Sequence, residues 1–272
     1  MTDQAATDEA APAPFQFADG ESYERFMGRW SRRAGEQFID WLEAPRAADW
    51  IDIGCGNGAF TETLISRCAP KSVAAVDPSE RQLAYARTRR ASKLARFERG
   101  DAQALSFSER SFDVATMALV IAFLPDAPKA VAEMYRVLRP GGLAATYMWD
   151  MPAGGAPVSP MNAAFVALGA PRPVMPGAAW FSTRAMVDLW QGAGFVDVES
   201  CTIRIPVEYA DFDDFWTANI AKGSPVHAVV VALADEKRRQ LQDRLRASLP
   251  TAADGRIAYE SFANAVKGRK PR

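Results

Sequence analysis

Three short stretches of the chain carry groups able to hold a nucleoside. Asp52-Ile53-Gly54-Cys55-Gly56-Asn57-Gly58 sets glycines at alternate positions behind an acid. Glycine lets a backbone turn tightly and approach a ligand closely. A helix starting after such a turn aims its free N–H groups toward that ligand. Asp77 stands 19 residues past Gly58, where a carboxylate can accept hydrogen bonds from both hydroxyls of a ribose. Gly100-Asp101-Ala102 follows. Its carboxylate can accept from an exocyclic amine such as adenine N6, and a backbone N–H can donate to a ring nitrogen. Each stretch alone has an ordinary structural reading: a tight turn, a helix cap at Asp77-Pro78-Ser79, and a turn residue. Their order and spacing favour a nucleoside site.

Such groups must be positioned by regular elements. Residues 50–53, 72–76, 95–99, 112–117 and 143–149 read as short apolar strands stopped by Gly, Pro or Asp. Residues 36–42, 59–68, 80–90 and 128–138 carry apolar residues at helical spacing. Strands alternating with helices imply right-handed βαβ units and a parallel sheet covered on both faces. Ligands of such sheets bind beyond the carboxyl ends of the strands. All three stretches stand just after strands. Further on, a helix over 182–191 with Ser182 as cap, a sixth strand over 195–205, a long helix over 235–248 and a final strand over 255–266 are expected. Roughly 50 residues part the last two strands, far beyond a hairpin loop.

Composition narrows the function. Of 272 residues, 32 are Lys or Arg and 33 are Asp or Glu, for a net charge of −1. No global positive field holds nucleic acid or an anionic membrane. Cys55, Cys68 and Cys201 lack disulfide-framework or metal spacing, no metal site is expected, and all three read as small buried residues. The single histidine, His227, excludes a two-histidine metal centre. It lies in an apolar stretch that reads as a helix. The first residues, MTDQAATDEAAPAP, are acidic without an apolar core, unlike a signal peptide. No uncharged apolar run reaches ~18 residues. The expected setting is soluble and cytoplasmic.

Five segments together resemble the class I S-adenosylmethionine (SAM)-dependent methyltransferases of the small-molecule type, related to the ubiquinone/menaquinone C-methyltransferases. They are DIGCGNG at 52–58, AVDPS at 75–79, GDAQAL at 100–105, SFDVATMALVIAFLPD at 111–126 and LRPGGLAATYMWD at 138–150. The resemblance covers roughly residues 20–150. It implies an α/β, doubly wound, Rossmann-like sheet of seven mostly parallel strands with an antiparallel last strand and helical lid insertions. It implies SAM as cofactor. Asp52 and Gly54 would border the methionine moiety, and Gly56 and Gly58 would pass under the ribose and sulfur. Asp77 would hold the ribose, Pro78 or Ser79 would border the adenine, and Asp101 and Ala102 would bind its edge. The Met117 carbonyl would lie near the methionine amine. Tyr23, Arg29 and Trp30 would close over the methionine end, with Arg29 pairing with the carboxylate.

The departures are informative. Relatives often carry histidines near the end of the fourth-strand segment, where Ala122 and Phe123 stand here. Displacement at a sulfonium needs alignment and exclusion of water, and a base only if the acceptor must lose a proton. Asp150, just after the fifth strand, is the candidate base or polar anchor. No Asn-Pro-Pro-Tyr or Asp-Pro-Pro-Tyr segment points to a flipped DNA base. Residues 1–14 are read as a disordered tail and 15–272 as one domain, with a cofactor core at about 35–150. Lid insertions at about 150–181 and 208–252 would cover a small-molecule acceptor. Trp149, Met151, Trp180, Phe181, Phe215 and Trp216 would line an apolar or aromatic acceptor pocket, or else form the lid's own core. Two other readings stay open on the residues. One is a nucleoside-binding module without catalysis, motivated by the missing histidines. The other is an NAD-dependent oxidoreductase, motivated by the glycine turn alone.

Overall fold

The computed structural model describes residues 20–170 and 175–272. The expected tail at 1–14 lies outside them, as do residues 171–174 of the first insertion. In chain order the elements are α1 (Gly20–Tyr23), a π-helical turn (Glu24–Gly28), α2 (Arg29–Leu42), β1 (Asp49–Ile53), α3 (Ala59–Cys68), β2 (Ser72–Asp77), α4 (Glu80–Ala86) and β3 (Ala95–Arg99). Then come β4 (Phe112–Ala118), α5 (Ala127–Val137), β5 (Leu138–Trp149), α6 (Ser159–Ala167), α7 (Thr183–Gly192) and β6 (Val196–Tyr209). The chain ends with α8 (Phe212–Asn219), α9 (Pro225–Ala232), α10 (Asp235–Ser248) and β7 (Ile257–Arg269).

The seven strands lie in the order β3-β2-β1-β4-β5-β7-β6. β1 to β5 run parallel, and β7 is antiparallel to both β5 and β6. The expected doubly wound sheet with an antiparallel last strand is therefore present. Every residue of β1 is buried, as a central strand covered on both faces requires. Trp50 joins the core under α2 and α3, whereas Ile51 and Ile53 join the core under α5 and α7. The strand order reverses between β1 and β4, so the loops leaving these strands flank a crevice.

Three local departures from the sequence reading have visible causes. α4 stops at Ala86 rather than Arg90. The Thr88 hydroxyl donates to the Tyr85 carbonyl at 2.7 Å, competing with the helical ladder. β5 begins at Leu138, not Leu143. Arg139-Pro140-Gly141-Gly142 bulges within the strand, with a register shift between Phe112 and Val114. A Cβ on Gly142 would lie 2.8 Å from the Arg139 carbonyl oxygen, so only glycine fits the bulge. α2 begins seven residues before the expected helix, carried on by the turn at Glu24–Gly28.

Candidate cofactor and active site

A cavity of about 700 Å³ opens at the switch in strand order. Its floor is the glycine loop after β1. Gly54 has φ +73°, and a Cβ there would lie 2.4 Å from Cγ2 of Val120. The loop after β4 thus packs directly on the glycine backbone. Gly56 has φ +52° and only open space where a Cβ would point, so its backbone is bare to the cavity.

Asp77 ends β2 at the cavity wall. Its Oδ2 accepts from the Gly56 amide at 2.9 Å and its Oδ1 from the Ser79 amide at 2.8 Å. Burial pushes its carboxyl up from the usual carboxylate value. Each oxygen has a further lone pair for a hydroxyl donor. Pro78, Ser79, Asp101 and Ala102 continue the wall. Asp101 accepts from the Gln103 amide at 2.9 Å, and Gln103 also lines the cavity.

Asp52 lies beneath the floor. It is fully buried and outside the cavity lining. One oxygen accepts from the Thr61 hydroxyl at 2.6 Å, and the other has no partner among the described residues. Burial, reinforced by nearby Asp77, pushes this carboxyl up to about 7. A carboxylate without a buried cation favours its neutral form.

The other wall comes from α1, α2 and β5. The hydroxyls of Tyr23 and Ser31 share a hydrogen bond of 2.8 Å, and the Tyr147 hydroxyl donates to the Ser31 carbonyl at 3.4 Å. Burial pushes Tyr23 up to about 12 and holds Tyr147 well above the usual phenol value. Both phenols stay protonated at neutral pH. Arg32 also reaches the cavity and pairs with Glu24 at 2.6 Å. Glu24 in turn pairs with Arg89 at 2.8 Å, whose Nε donates to the Asn57 carbonyl. This ties the N-terminal turn to the glycine loop. Leu119, Val120, Phe123 and Leu124 supply an apolar side. Leu119 is held at φ +60°, a left-handed conformation that costs a non-glycine residue ~1–3 kcal/mol.

Of the thirteen cofactor candidates, Tyr23, Gly54, Gly56, Asp77, Pro78, Ser79, Asp101 and Ala102 meet at this cavity, and five do not. Besides Asp52, Gly58 is turned into packing, where a Cβ would lie 3.0 Å from Ala86. The Met117 carbonyl accepts from the Thr146 hydroxyl at 2.6 Å, and Ala118 takes its place on the wall. Arg29 faces a separate hollow, stacked on Trp30 and Tyr209 and paired with Asp214 at 3.7 Å. Trp30 is buried against Tyr209. The helix turn explains both, because Arg32 rather than Arg29 points inward. Nor is the first N–H of α3 free, since Ala59 donates to the Asn57 side chain at 3.1 Å.

The acceptor and base candidates also separate. Asp150 is a turn anchor, accepting from Asn264 Nδ2 at 2.8 Å and from the Ala153 amide. It lies outside the cavity lining. His227 is half-buried in α9, its Nδ1 3.0 Å from the Ile220 carbonyl oxygen. Trp149, Phe215 and Trp216 pack with the core under α2, whereas Trp180 and Phe181 pack with the core on the opposite face. Met151 touches both. These six therefore do not form one pocket. Cys55 is buried as expected, while Cys68 and Cys201 are half-buried. Phe60, Tyr147 and Arg32 were missed, because their apolar or surface-helix spacing gives no hint of a ligand.

Comparison with known proteins supports the same frame. Residues 51–146 match the family described as "Methyltransferase domain". A malonyl-[acyl-carrier protein] O-methyltransferase of Pectobacterium atrosepticum is 33% identical over 123 residues, 45% of this chain and 47% of the relative. A ubiquinone/menaquinone biosynthesis C-methyltransferase of Dinoroseobacter shibae is 38% identical over 112 residues, 39% of this chain and 44% of the relative. The chain thus spans about half the length of these relatives. The crystal structure of the YcgJ protein of Bacillus subtilis shares the fold, with a TM-score of 0.59 at 19% identity over 88% of this chain and 98% of that one. Residues 51–146 thus resemble a methyltransferase domain, and they lie within a seven-stranded sheet that shares the fold of YcgJ.

Proposed function

We propose that this protein methylates a small acceptor with an apolar or aromatic body, using SAM, in a reduced cytoplasmic setting. The observation that carries the reading is the cavity at the strand switch, where the Asp77 carboxylate, the bare Gly56 backbone and Asp101 meet. The residues fit a cationic nucleoside. Asp77 can take a ribose diol, and Asp101 with Ala102 an adenine edge. The unpartnered oxygen of Asp52, buried below the loop, belongs to a carboxyl that a cation above it would draw toward its ionised form. Arg32, held only by a half-exposed pair with Glu24, can turn to a carboxylate at little cost.

Bound SAM supplies an electrophilic methyl group on a sulfonium. The chain's own part is to orient and to exclude water. Leu119, Val120, Phe123 and Phe60 make the apolar side of the cavity. Tyr23 and Tyr147 remain protonated, so they can donate hydrogen bonds but do not remove a proton. Residues 150–181 and 208–252 act as the cover over the acceptor, with the cofactor core at about 35–150 in one domain. One named relative is a malonyl-[acyl-carrier protein] O-methyltransferase and the other a ubiquinone/menaquinone biosynthesis C-methyltransferase, so both oxygen and carbon are acceptor atoms to test.

Calorimetry with SAM and S-adenosylhomocysteine tests the cofactor. Transfer of labelled methyl to carboxylic acids, phenols and hydroquinones tests the reaction. Binding of both nucleosides with Asp77-dependent affinity is expected. Absence of binding, or tighter binding of NAD, would sink the reading.

A further inference from the structure

Trp149 and Ser261 bury an N–H and an O–H that have no hydrogen-bond partner among the described residues. They are 4% and 0% exposed. Both project from one face of the sheet. Trp149 closes β5 opposite Ala263 of β7, and Ser261 lies two residues before Ala263, where side chains return to the same side. Trp149, Ala263 and Ile205, the partner of Ser261 in β6, all belong to the core that also contains Tyr147. Tyr147 lines the cofactor cavity. Trp149 is the next residue outward on that face, at the carboxyl end of β5. Tyr259, on the same face, donates to the Pro157 carbonyl at 2.6 Å, fixing the start of α6 over the strand ends. There the Ser159 hydroxyl is also buried without a partner.

Buried donors are almost always paired, and an unpaired one calls for a missing partner. An indole N–H can only donate, and the two hydroxyls can donate beside it. We infer that Trp149 and Ser261, with Ser159, are the recognition point for an oxygen of the methyl acceptor. That oxygen belongs to a carbonyl-type group, which accepts without donating. This rests on the methyltransferase reading, because it places the acceptor next to the cofactor cavity.

Acetophenone and ethylbenzene differ by one carbonyl oxygen and serve as probes. Each is titrated by NMR into the full chain saturated with S-adenosylhomocysteine. The wild type should bind the ketone at least ~10-fold more tightly, the scale of one or two well-made hydrogen bonds. Trp149→Phe, which keeps a ring, and Ser261→Ala should each cut that preference at least ~3-fold while leaving ethylbenzene affinity and S-adenosylhomocysteine affinity unchanged. A wild type that binds neither probe or shows no preference overturns the inference. So does a preference that survives both substitutions, as it would if an ordered water satisfied these donors. Intact S-adenosylhomocysteine binding in those cases leaves the methyltransferase reading standing. Its loss in the wild type removes both.

Discussion

Asp77 Oδ2 accepts the Gly56 amide at 2.9 Å, joining the end of β2 to the barest point of the glycine loop. The same carboxylate holds the Ser79 amide at the start of α4. One side chain therefore shapes the cavity floor and still faces the ligand space. Asp77→Ala should weaken S-adenosylhomocysteine binding about 100-fold, since hydrogen bonds to a charged group are worth ~1.5–3 kcal/mol each. Asp77→Asn should fall between, because it retains one acceptor oxygen. Calorimetry measures both. Equal affinity in all three proteins would remove Asp77 from the site.

Asp52 gives the cavity a pH dependence with a defined sign. The folded chain keeps this proton up to about pH 7, while the unfolded chain releases it near 3.8. Between those values the folded state binds more protons, so stability falls as pH rises across the window. Asp52→Asn should flatten that decline in denaturant titrations. A cation bound above the loop favours the ionised form, so SAM affinity should rise through about pH 7. S-adenosylhomocysteine, lacking the sulfonium charge, should respond less. Matching pH profiles for the two nucleosides would refute the link.

Arg32 and Arg29 separate two faces of α2. Arg32→Ala should lower S-adenosylhomocysteine affinity about 10-fold. Arg29→Ala should change it less than ~3-fold and instead lower the melting temperature, because Arg29 stacks on Trp30 and Tyr209 at 4.4 and 4.6 Å. Paired calorimetry and thermal melts distinguish them. A larger binding loss in Arg29→Ala would return that residue to the cavity.

Gly54 combines a positive φ with contact against Val120. Gly54→Ala should cost about 3 kcal/mol in chemical denaturation, from backbone strain and overpacking together. Adding Val120→Ala should recover part of it by clearing the contact. No recovery would place the whole cost in the backbone.

The core of the fold was legible because its signals are local. Apolar runs of strand length alternate with helical spacing, and the helices Ala59–Cys68 and Asp235–Ser248 have the expected ends. The separation of the last two strands told of an insertion, and α8, α9 and α10 fill it. Asp77, Gly56 and Asp101 were legible because they follow strands directly. What failed depended on rotation or tertiary packing. Nothing in the spacing of α2 says whether Arg29 or Arg32 turns inward. Trp149 and Phe181 are both apolar residues near one strand end, yet they fall on opposite faces of the sheet. The left-handed Leu119 has no sequence signature at all.

The position of β7 between β5 and β6 has a consequence for how the molecule is made. β6 touches the sheet only through β7, and β7 comes last in the chain. During synthesis, β6 and the three helices after it emerge before the strand that will anchor them. Until then β6 leans on helices α2 and α7, with Gln37 Nε2 donating to the Arg204 carbonyl and Arg33 to the Pro206 carbonyl. A long strand edge left waiting is a place for wrong pairing. The β6–β7 edge of the sheet is thus completed only after strands β1 to β5 have emerged.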